Sequence, residues 1–244
     1  PLGEIDRQTP VWRYLCARGL GDLVPSRELR FVKKLACWEV PDGQNIDGAA
    51  KARLVGEFPA MLARLTNAEG KFITLHRTYL TADGSKAPVH SAKKLAAGAV
   101  ENGVIRLYPA GGVVCLAEGI ETALSVHALT GLPAWSVVSL PGMKRFGPET
   151  IPDGVRTIRI CGDNDRSYAG AAGAYELASR LRRSRPELEV SVHIPQAAGT
   201  DWNTRSTAEW TGQSPPSTGS NGRIRAGSCL LYTSPSPRDR SVSR

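Results

Sequence analysis

The sequence predicts an α/β protein: a mostly parallel sheet with helices on both faces, preceded by a smaller α+β module with a β-hairpin. Three observations carry this. From about residue 103 onward, short apolar runs alternate with helical segments, as in a parallel sheet buried on both sides. Before that point the strongest signal is a pair of β-leaning runs around a Gly-ended turn. The 244 residues, 41% hydrophobic and 22% charged, suffice for one large domain or two modest ones. The expected organisation is an N-terminal module over 1–100, the parallel-sheet domain over 101–203 and a tail over 204–244.

The first helix begins at Thr9, a suitable N-cap, followed by Pro10 at the first helical position. Val11, Tyr14 and Leu15 supply helical spacing, and Gly19 ends it. Residues 29–40 lean towards strand, and 41–52 read as loop. Strands at 60–66 and 71–80 flank Asn67-Ala68-Glu69-Gly70. The polar stretch 81–94 reads as a loop carrying Lys86, Lys93 and Lys94. Strands follow at 104–108, 113–117, 134–140, 157–161 and 189–194. Helices are expected over Thr122–Leu129, ended by Gly131, and over Ala169–Arg183, stopping before Pro186.

From Thr204 the chain is rich in Ser, Pro, Thr, Gly and Arg without a sustained period, a composition that predicts disorder. LLYTSPSPRD (230–239) resembles translated adapter sequence, so the tail reads as foreign or out of frame. Half of the net charge of +8 lies there, six arginines against Glu209 and Asp239. The first residues show no secretion signal, no apolar run is long enough for a membrane span, and a cytoplasmic protein is expected. The missing initiator Met suggests a piece of a longer chain. Five scattered cysteines without a Cys-x-x-Cys pair argue against zinc and against a disulfide framework. Cys115 and Cys161 fall inside apolar strands as core residues.

Two acidic motifs stand where chemistry is expected. Glu118-Gly119 closes one strand immediately before a helix, and Asp163-Asn164-Asp165 closes another. Open parallel sheets bind ligands at the carboxyl ends of their strands. In extended backbone, residues i and i+2 point the same way, so Asp163 and Asp165 can face one point. Three converging carboxylates repel one another unless a cation intervenes, and Mg²⁺ (or Mn²⁺) suits hard oxygen ligands and substrate phosphates. Gly119 and Gly162 leave room for a phosphate or a metal shell near the backbone. An isolated Asp-x-Asp is more often a capping motif; the pairing with strand–Glu-Gly–helix is what lifts it.

AEGIETALS (117–125) followed by CGDNDRSYAGAAGA (161–174) resembles the Toprim domain of bacterial primases, topoisomerases and certain nucleases. The resemblance implies a Rossmann-like sheet, a Glu118 acting in acid–base or metal chemistry, and Asp163 and Asp165 binding Mg²⁺. Ser139-Leu140-Pro141-Gly142 sits where that family has a small turn. Asp201-Trp202-Asn203 is similar to its late acidic motif, which makes Asp201 a further candidate ligand. Thr204 stands where the family continues with another acid. YLCARGL (14–20), LHRTYL (75–80) and the Lys-rich loop resemble the module before Toprim in phage- and plasmid-type primases and primase-helicases. Neither a zinc-binding module nor a Gly-x-x-x-x-Gly-Lys-Ser/Thr motor is found in these residues.

The resemblance implies a DNA primase-like nucleotidyltransferase serving mobile-element replication, with single-stranded DNA, nucleoside triphosphates and a replicative helicase as partners. Arg77, Lys86 and Lys93 are candidate phosphate contacts, as are Lys144 and Arg145 after the Gly142 turn. Each has a plainer reading as a structural or solvated side chain. Glu121 reads first as a helix-dipole acid and second as support for the metal. His76 is a candidate for the substrate face, and His127 an ordinary helical histidine. A Toprim nuclease, or a nucleic-acid-binding module without turnover, remains open on the residues alone.

Overall fold

The computed structural model describes residues 2–23, 26–40, 52–95 and 103–202; the expected loop at 41–52 apart from its last residue, Asn203, and the tail with Cys229 lie outside them. Five strands form an antiparallel sheet in sequence order: β1 (Leu2–Gly3), β2 (Leu29–Glu39), β3 (Arg53–Thr66), β4 (Phe72–Tyr79) and β5 (Lys93–Leu95). Helix α1 (Pro10–Cys16) is capped by Thr9, whose hydroxyl accepts the Trp12 N–H at 3.2 Å. Between β3 and β4, Gly70 takes φ +76 and its N–H returns to the Asn67 carbonyl at 3.0 Å, closing the predicted hairpin. Strand β3 is longer than its apolar pattern, because residues from Arg53 to Phe58 pair with β2 while one face stays solvated. The end of the expected 81–94 loop, from Lys93, adds a short edge strand to β4.

The second sheet is parallel, in the order β7 (Ala134–Ser136), β6 (Val113–Ala117), β8 (Thr157–Cys161), β9 (Glu189–His193). Alternate residues of its strands separate two cores. Cys115, Ala117 and Ala134 pack under α2 (Ile120–Thr130), together with α1 and Met61, Ala63 and Leu65 of β3. Val114, Leu116, Ile158 and Ile160 pack under α3 (Leu140–Arg145) and α4 (Ala169–Ser184). The sheet is thus covered on both faces, and the first core is shared with the antiparallel module.

Two expected strands are shorter or absent. Residues 104–108 are not a strand of either sheet. Val104 bridges Thr66 and Ile105 bridges Ser136, so two adjacent residues tie the sheets together. Their apolar pattern reflects burial between two sheets. The run 134–140 stops being strand after Ser136. Val138 takes φ +73, an outlier for a β-branched residue, and the chain turns into α3.

Candidate functional site

Parallel pairing of Ala117 with Cys161 brings the carboxyl ends of β6 and β8 to one edge. Glu118 follows the first strand directly and Asp163 stands two residues past the second, so the two acids share that edge. Glu118 is held from behind. Its carbonyl accepts the Ser136 hydroxyl at 2.9 Å, and Ser136 Oγ accepts the Val138 N–H at 3.0 Å. The left-handed Val138 aims the N-terminus of α3 at the acid, and the Leu140 N–H donates to the Glu118 carboxylate. Burial raises the pKa of Glu118, with Asp165 adding to it, against the pull of Leu140 and Lys93.

Asp163 carries the clearest electrostatic signature. Burial, then repulsion from Glu118, Asp201 and Asp165, pushes its pKa up to about 7; Lys93 opposes this. Its Oδ1 is buried and has no hydrogen-bond partner. Asp165 behaves differently. Its Oδ1 accepts the N–H groups of Ser167 (2.9 Å) and Ala169 (3.2 Å) and the Ser167 hydroxyl, and its Oδ2 accepts the Gly170 N–H at 2.8 Å. The Ser167 hydroxyl and these amides hold its pKa down at about 2. It caps α4, whose N-cap residue Tyr168, at φ +59, contributes no side-chain cap. Asp165, expected to face one point with Asp163, thus spends both carboxylate oxygens on the start of α4, while its charge still raises Asp163.

A bridge from Asn164 to Thr200 delivers the fourth acid. The Asn164 N–H donates to the Thr200 carbonyl at 2.9 Å, and Asn164 Nδ2 donates to the Pro195 carbonyl at 2.8 Å. Trp202 is buried, and its indole N–H donates to the Gly162 carbonyl at 3.1 Å. Between these two anchors Asp201 lies close enough to raise Asp163. Gly162 serves packing, a correction to the expected phosphate clearance: a Cβ there would meet Ile194 Cδ1 at 2.7 Å and Ala174 Cβ at 3.0 Å. Gly170 is likewise needed, since a Cβ would lie 2.8 Å from the Asp163 carbonyl oxygen.

Among the described residues, no three His, Cys, Asp or Glu side chains close into a ready-made metal cage. The donor set nevertheless suits Mg²⁺, which keeps several waters and needs only one or two protein carboxylates beside substrate phosphates. The unpartnered Asp163 Oδ1 and the raised Asp163 pKa are what a divalent cation would relieve.

The antiparallel module adds cations to this edge. Lys93 lies opposite Thr78 on β4, on the sheet face turned towards α2, and its Nζ is 2.8 Å from Glu121 Oε2. Its charge is felt by Glu118 and Asp163. Lys86 stands near Lys93 and Arg18; burial lowers its pKa, and Lys93 lowers it further. His76 is buried on the same face and held neutral, its pKa lowered to about 4 by burial and then by Lys93. Arg77 and Lys94 alternate onto the opposite face. There Arg77 donates to the Leu95 carbonyl at 3.1 Å, and Lys94 pairs with Glu39 at 3.1 Å, so the structure does not bring Arg77 to the acids. Lys144 and Arg145 are exposed at the far end of α3, roughly 6–8 Å along the helix from Leu140. His127 stacks on Tyr108 with ring centroids 3.5 Å apart, remote from the acids in the last turn of α2.

Sequence reasoning missed the role of Asn164, the Ser136–Val138 support and the buried pairing of Glu121. The signal for the first was present, since Asn is a strong turn former between two acids. The others depend on contacts between distant segments, such as Tyr14 with Glu121, 107 residues apart.

Comparison with known proteins bears on the fold. Residues 3–107 match the family described as "Domain of unknown function (DUF7146)", and residues 113–209 match the Toprim domain. No curated protein matches the sequence. Among solved structures, the DnaG catalytic core is 12% identical, with a TM-score of 0.50 over 80% of this chain and 67% of that one. The primase fragment of the bacteriophage T7 primase-helicase is 15% identical, with a TM-score of 0.45 over 82% and 65%. A DNA primase domain from Pseudomonas aeruginosa is 14% identical, with a TM-score of 0.47 over 80% and 64%. The chain spans about two thirds of the length of these proteins. Residues 113–209 thus carry a match to the Toprim domain, and the chain is similar in fold to the DnaG catalytic core.

Proposed function

We propose that this chain takes part in Mg²⁺-dependent nucleotidyl transfer on nucleic acid, as the primer-synthesising part of a DNA primase serving mobile-element replication. The observation that carries the reading is Asp163: a half-buried carboxylate with an unpartnered oxygen, crowded by Glu118, Asp165 and Asp201 and faced by Lys93. Asp163, Asp165 and Asp201 would hold Mg²⁺ or Mn²⁺, which when bound would supply charge neutralisation for a triphosphate and activation of a hydroxyl. Lys86 and Lys93 contact the triphosphate. Glu118, raised by burial, accepts the proton of a primer 3′-hydroxyl. Lys144 and Arg145 lie along the path of a single-stranded DNA template, and Arg77 is a backbone contact on the opposite face. A replicative helicase is the partner that moves the template.

The test incubates the 244-residue chain with single-stranded DNA, labelled nucleoside triphosphates and Mg²⁺. The expected result is Mg²⁺-dependent primer synthesis, lowered at least ~100-fold in Glu118→Gln. Strand scission without extension would replace primase by nuclease. DNA binding with neither activity would make the chain a non-catalytic module, and undiminished synthesis by Glu118→Gln would remove that residue from the chemistry.

A further inference from the structure

Glu121 is the least expected charge in the molecule. It stands at the second position of α2, three residues past Glu118, with its side chain only 9% exposed. Burial alone would keep such a carboxyl neutral. Two partners from the antiparallel module reverse this. Lys93 from β5 places Nζ 2.8 Å from Oε2, and the hydroxyl of Tyr14 from α1 donates to Oε1. Tyr14 is itself fully buried, with the Arg18 guanidinium 3.6 Å above its ring. Two helices and an edge strand therefore meet on one carboxylate.

An ion pair of this kind is a poor way to hold two sheets together, because desolvation offsets most of its attraction and apolar side chains would serve as well. It is a good way to fix an ammonium. Lys93 sits on a short edge strand and carries a long flexible stem, with more than a third of its side chain exposed. Of its three N–H donors, one is spent on Glu121, leaving two for a ligand. Anchored there, its charge acts on both Glu118 and Asp163. Glu121 belongs to the Toprim domain, whereas Lys93 and Tyr14 belong to the module of unknown function.

We infer that Glu121 is a positioning residue: with Tyr14 it holds Lys93 at the acidic edge, so that the module of unknown function supplies a phosphate-binding cation to the Toprim site. This rests on the triphosphate reading above. It assigns to residues 3–107 a specific contribution to the Toprim edge.

The experiment measures binding of a nucleoside triphosphate with Mg²⁺ to the 244-residue chain by calorimetry. Wild type is compared with Glu121→Gln, Lys93→Met and the double variant. Lys93→Met is expected to weaken binding about 10-fold, and Glu121→Gln by a similar factor. The double variant should be no weaker than Lys93→Met alone, because Glu121 acts through Lys93. Losses that multiply in the double variant would overturn the inference, as would an unchanged affinity in Glu121→Gln. Should Glu121→Gln fail to fold, Tyr14→Phe removes one hydrogen bond and keeps the charge. It is expected to weaken binding about threefold, and unchanged affinity there would overturn the inference equally. No triphosphate binding by wild type would contradict the functional reading itself, a separate outcome from an insensitive Glu121.

Discussion

Replacing Asp163 by Asn is expected to raise the melting temperature of the metal-free protein at pH 8 by roughly 5 °C while removing its Mg²⁺-dependent activity. The sign follows from the pKa of about 7, against 3.8 for an ordinary Asp. Between those values the folded protein keeps a proton that the unfolded chain has released, so stability falls as pH rises through the window. The benefit is complete below pH 3.8 and gone above 7. A shift of this size corresponds to ~4 kcal/mol. Because Asp163 is half-buried, solvent screening reduces this to ~2 kcal/mol, and at roughly 2–4 °C per kcal/mol that gives the stated change. Melting curves from pH 4 to 8 in chelator check it: the two proteins should converge at the acid end, and added Mg²⁺ should stabilise only wild type at pH 8. Asp165 contributes with the opposite sign. Its pKa is held at about 2, so its stabilisation is present above 3.8 and is lost as pH falls towards 2.

Gly142→Ala is expected to destabilise the protein by about 3 kcal/mol, towards the upper end of overpacking costs. A Cβ at position 142 would run into the Val137 carbonyl oxygen, a backbone atom that no rotamer change can move. The strand-to-helix turn around Val138 would have to open. That withdraws the Leu140 N–H from Glu118, so loss of activity should accompany loss of stability. Thermal denaturation should show a melting temperature lower by roughly 6–12 °C. An unchanged melting temperature would mean that α3 docks differently from the arrangement described here.

The parallel sheet was legible because its strands are buried on both faces and read as apolar runs, each followed by a motif with its own meaning. That logic alone placed Glu118 and Asp163 at the carboxyl ends of strands that do prove to be neighbours. Asp165 was placed there too, and its oxygens also serve as the cap of α4, because the left-handed Tyr168 supplies none. Residues 104–108 misled because burial between two sheets produces the same apolar pattern as a buried strand. The Gly-containing turn at 139–142 was expected only from the family resemblance. Its reason, the close approach of α3 to Val137, is a tertiary contact that no local pattern reports. Glu121 was hidden by the same limit, since a first-turn acid looks alike whether it faces water or a lysine from another sheet.

We propose the acidic edge as a divalent-cation site built around Asp163. Calorimetric titration of the chain with Mg²⁺ in buffers of different ionisation enthalpy tests it directly, because a ligand titrating near pH 7 must release its proton on binding. The expected result is close to one proton released per ion at pH 6, about half at pH 7 and almost none at pH 8.5, with the release abolished in Asp163→Asn. Absence of binding, or the same proton count in Asp163→Asn, would contradict it.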